Sequence, residues 1–216
     1  MQGPAHLSLT ERRKAETRME IARAAAGLFV RRGLRATRAE DIAQAAGIAP
    51  RTFYRYFATK EEAVAPLYAA GAQRWAEAVR SAPASLSVPE ALEHAVRHTL
   101  TPGVGVSAAS WEWVRTLIHL AAASPALRKV WAEVCQSSDE LLTSILAERT
   151  SVPVDNVAPS AHLRFAAAVA GAAVRVAVES WAAGTAAPTG PEGPAALALQ
   201  NLSALRGFAW EGPGDA

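Results

Sequence analysis

The sequence predicts an all-α protein with a small amino-terminal helix-turn-helix head of three helices on a larger helical body, residues 1–58 and 59–216. Alanine far outnumbers valine and isoleucine in a chain that is 50% hydrophobic, which favours helices over strands. Apolar residues recur at helical spacing through long segments, while glycine and proline gather in a few clusters between them. Charge is divided as well: residues 1–60 hold twelve Lys or Arg against five Asp or Glu, and residues 61–216 hold ten against fifteen. A basic head on an acidic body is the electrostatic footprint of a nucleic-acid-binding module attached to something that is not one.

In chain order, residues 1–9 show no periodicity and are expected to be mobile. A helix over about Thr10 to Arg32 follows, with Ile21, Ala25, Leu28 and Phe29 on its apolar stripe and Gly33 at its end. Its leading cations, Arg13 and Arg18 among them, are placed to follow a phosphate backbone. Thr37 and Glu40 have capping-box spacing for a short second helix that ends before Gly47. Pro50 suits the first turn of a third helix, to about Phe57. Phe53 and Phe57 are its packing residues, which leaves Arg51, Thr52, Tyr54, Arg55 and Tyr56 for contact. Thr59 and Glu62 open a further helix to about Val79. Lys60 in its first turn opposes the helix dipole, so a phosphate partner accounts for it better than local stability. Pro66 should kink this helix or shift its start.

The string Thr37-x3-Asp41-Ile42-Ala43-x2-Ala46-Gly47-Ile48-x3-Thr52-Phe53-Tyr54-x-Tyr56-Phe57-x2-Lys60-Glu61, preceded by Ala25-x2-Leu28-Phe29-x3-Gly33, resembles the TetR family of bacterial one-component regulators. The resemblance covers about the first seventy residues. It implies a helix-turn-helix whose second helix enters the major groove. Carried onto this sequence, the DNA-contacting set is Arg13, Arg18, Thr37, Pro50, Arg51, Thr52, Tyr54, Arg55, Tyr56 and Lys60. Ala49 departs from the pattern, because the family usually places a capping Ser or Thr there.

In the body, Ser87 and Glu90 form a capping box that opens a helix to about Leu100. Glu90, His94 and His98 share one face at metal-ligand spacing, but no further ligand stands nearby and the stripe reads as a solvated face, so no metal is expected. The glycine-bearing loop 101–106 lacks the Lys-Ser/Thr pair of a phosphate-binding loop. Ser110 to Ala123 is apolar on nearly every side, as for a central, buried helix in which Arg115 and His119 need partners or a cavity. Helices over Pro125–Glu148, 159–183 and Pro194–Trp210 complete the chain.

The resemblance also implies a ligand pocket and a homodimer. The pocket is expected between the helices that begin at Ser110, Pro125 and residue 159. Its walls would be Trp111, Trp113, Leu117, Trp131, Cys135 and Phe165, with Arg115, His119 and Arg175 available to polar groups of the effector. The last two helices, apolar around much of their girth, suit a symmetric four-helix interface with Leu163, Val169, Val174, Trp181, Leu199, Leu202 and Leu205.

A lone Cys135 excludes an intrachain disulfide and fits a reducing cytoplasm; it reads as a small buried hydrophobe. No signal peptide is expected, and the apolar run from Phe165 to Val174 is too short to span a membrane. No cofactor is expected. No set of acids, bases and nucleophiles suggests an enzyme. The expected function is a dimeric repressor of double-stranded operator DNA, released by an apolar or aromatic effector. Its rivals are a dimeric DNA-binding protein without small-molecule input and an all-helical enzyme; a thermal-shift screen for ligands separates these two from the first reading.

Overall fold

The computed structural model describes residues 8–103, 108–150 and 160–210, and these form two compact units, one ending at Tyr68 and the other beginning at Ala69. The first unit holds α1 (Leu9–Arg32), α2 (Ala39–Ala45), α3 (Pro50–Tyr56) and a 3₁₀ turn (Glu62–Val64). α1 starts earlier than its apolar pattern suggests. The Ser8 hydroxyl accepts the Glu11 N–H, and the Glu11 carboxylate accepts the Ser8 N–H. Two orphan amides are thereby matched, so Ser8 and Leu9 belong to an ordered helix start and not to a mobile arm. Gly33 ends α1 at φ 80°, and Gly47 follows α2 at φ 68°, a region that a Cβ would strain. Ile21, Ala22, Ala25, Leu28 and Phe29 of α1 close on Ile42 and Ala43 of α2 and Phe53 of α3, all fully or almost fully buried.

Two local expectations shift. The cap of α2 lies one residue on: Asp41 accepts the Arg38 N–H at 2.9 Å, and Thr37 turns inward. The Thr59 hydroxyl accepts the Glu62 N–H as anticipated, but the chain makes only the 3₁₀ turn before α4 (Ala65–Ser81) begins. Pro66 therefore falls in the first turn of α4, where its missing N–H costs nothing; it moves the start and does not kink the helix.

The second unit contains α5 (Val88–Leu100), α6 (Ala108–Ala123), α7 (Pro125–Thr150), α8 (Ala161–Ala183) and α9 (Pro194–Ser203). The Ser87–Glu90 box is formed at α5, and the Ser160 hydroxyl accepts the Leu163 N–H at α8. α8, not α6, is central: it packs against α6, α7 and α9. Its alanines at 166, 167, 170, 173 and 177 are all buried, and such small side chains let three helices approach closely. α8 is long and apolar enough to cross a membrane by length and composition, with mean hydropathy 1.4, yet its inner face is this core. α9 is shorter than expected. Beyond Ser203 the chain tightens into successive turns that bring Phe208 against His162 and bury Trp210.

Candidate functional site

α3 presents the surface that the sequence assigned to DNA. Phe53 and Phe57 are buried and anchor the helix, which leaves Arg51, Tyr54 and Arg55 exposed and Thr52 and Tyr56 half-buried. Pro50 occupies the first turn, and no side chain caps it at Ala49. The Arg55 guanidinium lies 5.4 Å from the Tyr56 ring, close enough for a cation–π contact. The Tyr54 hydroxyl donates to Glu40 Oε1 at 3.1 Å, and this acceptor raises the Tyr54 pKa, with lesser contributions from desolvation and the Glu40 charge. Arg13 is exposed on α1.

Three residues expected on DNA are spent inside the head. Thr37 is fully buried and its hydroxyl donates to the Gly33 carbonyl at 2.9 Å. Lys60 Nζ donates to the Leu34 and Thr37 carbonyls at 2.7 and 2.8 Å. The lysine thus matches backbone acceptors of the α1–α2 connection, and no phosphate is needed to explain it. Arg18 donates Nη1 to the Tyr56 carbonyl at 2.9 Å, matching an orphan acceptor at the end of α3, and stacks 4.5 Å from the Phe57 ring. Arg18 thus braces the end of α3, while Thr37 and Lys60 secure the connection between α1 and α2. What remains facing outward is a narrower set, led by Arg51, Tyr54 and Arg55.

In the body, the expected pocket residues separate into three groups. Trp111 and Leu117 are buried; Trp111 meets Trp181 edge-on at 5.3 Å, and the Arg115 guanidinium stacks 4.3 Å from the Trp181 ring while donating to the Ala186 carbonyl. Trp131, Cys135 and Arg175 lie instead along a polar seam between α7 and α8. There the Trp131 indole donates to Glu179 Oε1 at 2.6 Å, and Arg175 pairs with Glu179 at 3.4 Å. Desolvation pushes the Cys135 thiol up to about 12, so it stays protonated near neutrality, and lifts the Asp139 carboxyl to about 6. A Cβ on Gly171 would sit 2.1 Å from Asp139 Oδ1, so the glycine leaves room for that carboxylate. The third group is not walled in: Trp113 and His119 are exposed, and Phe165 is 58% exposed and packs on Phe208 at 5.5 Å.

The expected interface residues are also redistributed. Trp181 is 1% exposed, and its indole donates to the Ala186 and Ala187 carbonyls; Leu163 and Leu202 are buried with it in the core of a single chain. Val169, Val174, Leu199 and Leu205 are only half-buried against that core.

Residues 21–65 match the tetR family of bacterial regulatory proteins, and residues 86–197 match the MftR C-terminal domain. The second match alone spans more than half of the chain. The protein belongs to the TetR family. TcmR of Streptomyces glaucescens, an HTH-type transcriptional regulator, is 32% identical over 178 residues, covering 80% of this chain and 76% of TcmR. The transcriptional repressor KstR2 of Mycobacterium tuberculosis is 51% identical over 47 residues, covering 22% of this chain and 24% of its own. FadR of Thermus thermophilus, a TetR-family repressor solved with lauroyl-CoA, is 25% identical at TM-score 0.54, covering 87% of this chain and 92% of that one. This TetR-family chain is a transcriptional regulator and not an enzyme.

Sequence reasoning missed three residues at these sites and misplaced a fourth, Trp181. Glu40 was read only as a cap, although it stands across from Tyr54. Trp181 was assigned to a surface, because an apolar helix shows no difference between a face turned to its own core and one turned to a second copy. Asp139 carries no local signal that sets it apart from the other carboxylates of α7. Glu179 stands four residues after Arg175, and that spacing was the usable signal.

Proposed function

We propose that this regulator is a ligand-responsive repressor that acts in the cytoplasm, binds palindromic operator DNA as a homodimer, and is released by an apolar or aromatic small molecule. The observation that carries this reading is α3: a helix anchored by two buried phenylalanines and braced by Arg18, with Arg51, Tyr54 and Arg55 turned outward. Two arginines on one exposed face suit guanine edges and phosphates in a major groove. Dimer formation is supported by α8, where Phe165, Val169, Ala172 and Val176 recur at helical spacing and stay exposed or half-buried in the single chain. A small-molecule effector is supported by the aromatic layer of Trp111 and Trp181, and by the lauroyl-CoA bound to the Thermus relative.

Footprinting on the DNA upstream of its own gene tests this. Two protected half-sites of inverted sequence, one helical turn or a multiple apart, are expected. Protection of a single asymmetric site would contradict the dimeric reading, and no protection at all would contradict the whole.

A further inference from the structure

Trp111 and Arg115 stand four residues apart on α6 and so share one face of that helix. Both lean on Trp181, the indole edge-on at 5.3 Å and the guanidinium at 4.3 Å. Trp111 is 2% exposed, yet its Nε1–H has no acceptor among the described residues. The buried Nε–H of Arg115 has none either. The contrast with nearby indoles is sharp: Trp181 donates to two carbonyls, and Trp131 to Glu179. Buried donors are normally matched, and one left unmatched is costly.

Charge points the same way. Arg115 gives one nitrogen to the neutral Ala186 carbonyl, and no carboxylate of the described residues pairs with it. Arg175, on the polar seam, is already covered by Glu179 and lies close enough to Asp139 to lower its pKa. Trp75, Trp210 and His162 also bury an unmatched nitrogen; what sets α6 apart is an unneutralised guanidinium one turn from the indole.

We propose that Trp111 and Arg115 anchor an anionic oxygen, a carboxylate or phenolate, at one end of an otherwise apolar effector. The indole N–H and the guanidinium N–H donate to that oxygen, the guanidinium charge neutralises it, and the Trp181 ring forms the wall beside it. The proposal rests on the reading that the body binds an effector. It names the chemistry of the effector's polar end and moves that end away from Arg175.

The test uses the full chain with 2-naphthoate and its uncharged counterpart 2-ethylnaphthalene, followed by calorimetry. Arg115→Met should weaken 2-naphthoate about 10-fold or more and Trp111→Phe about 5-fold, as expected for donors to a charged acceptor, while 2-ethylnaphthalene changes less than about 2-fold. A second readout needs no altered fold. In the wild-type chain, the Trp111 indole proton, assigned by its loss in Trp111→Phe, should shift downfield in NMR spectra with 2-naphthoate and not with 2-ethylnaphthalene. Equal weakening of both probes, an unmoved indole proton, or wild-type binding of 2-ethylnaphthalene alone would overturn the anchor and leave an effector site standing. Binding of neither probe would overturn both.

Discussion

The Tyr54 hydroxyl of α3 donates to the Glu40 carboxylate of α2 at 3.1 Å, on the same exposed side of the head as Arg51 and Arg55. The bond ties the recognition helix to its supporting helix, and it also places a negative charge where phosphates would approach. Glu40→Gln keeps an acceptor for Tyr54 and removes the charge. It should tighten binding to every DNA sequence and steepen the salt dependence by about one unit. Glu40→Ala should gain the same electrostatic benefit but discriminate less between operator and scrambled DNA, because Tyr54 is no longer held. Equal discrimination in both variants would show that the hydrogen bond does not orient Tyr54.

Arg51→Ala and Arg55→Ala should each relax preference at one base pair per half-site, at about 1–3 kcal/mol. Lys60→Ala should behave differently. Its Nζ is held by the Leu34 and Thr37 carbonyls, so its loss should lower the melting temperature of the head and leave the salt slope near that of the wild type. Salt titrations beside thermal melts separate the two kinds of residue.

The head was legible because its signals are local. Glycines after two helix ends, proline at a helix start and two phenylalanines four residues apart each dictate geometry within a turn or two of chain. What sequence could not give was the destination of long polar side chains. Lys60 and Arg18 look like surface donors, but each finds a backbone carbonyl more than twenty residues away that only the folded chain brings within reach, and Thr37 turns its hydroxyl inward to the Gly33 carbonyl. The body was less legible for a related reason. Alanine and leucine patterns mark helices without saying which face meets which, so α6 was placed at the centre that α8 occupies, and Trp181 on the wrong side of it.

Asp139 predicts a pH dependence. Desolvation raises its folded pKa from 3.8 to about 6, with Arg175 opposing the shift. The folded chain therefore holds this proton more tightly than the unfolded chain, and stability falls as pH climbs through that window. Asp139→Asn should be as stable as the wild type at pH 3.5 and more stable at pH 7.5, by about 1 kcal/mol once solvent screening of a half-exposed group is allowed for. Urea unfolding across the range checks the sign. A variant less stable at pH 7.5 would mean that the pairing with Arg175 outweighs burial.

Assembly can be separated from folding. Val176→Arg places a charge on the exposed face of α8, where a single chain loses nothing (Val176 is 45% exposed). Light scattering should show a monomer with an unchanged melting curve, because a two-fold axis buries the unpaired charge twice. Leu202→Arg should unfold the chain instead, since Leu202 lies in the core of one copy.

Salt titration of binding to the DNA upstream of its own gene, with scrambled DNA of equal length alongside, tests the central claim most directly. Two heads with several phosphate contacts each should give a slope of log affinity against log salt of about −4 to −7, and a preference for the upstream DNA that persists at physiological salt. A flat salt dependence, or equal affinity for both DNAs, would contradict the account.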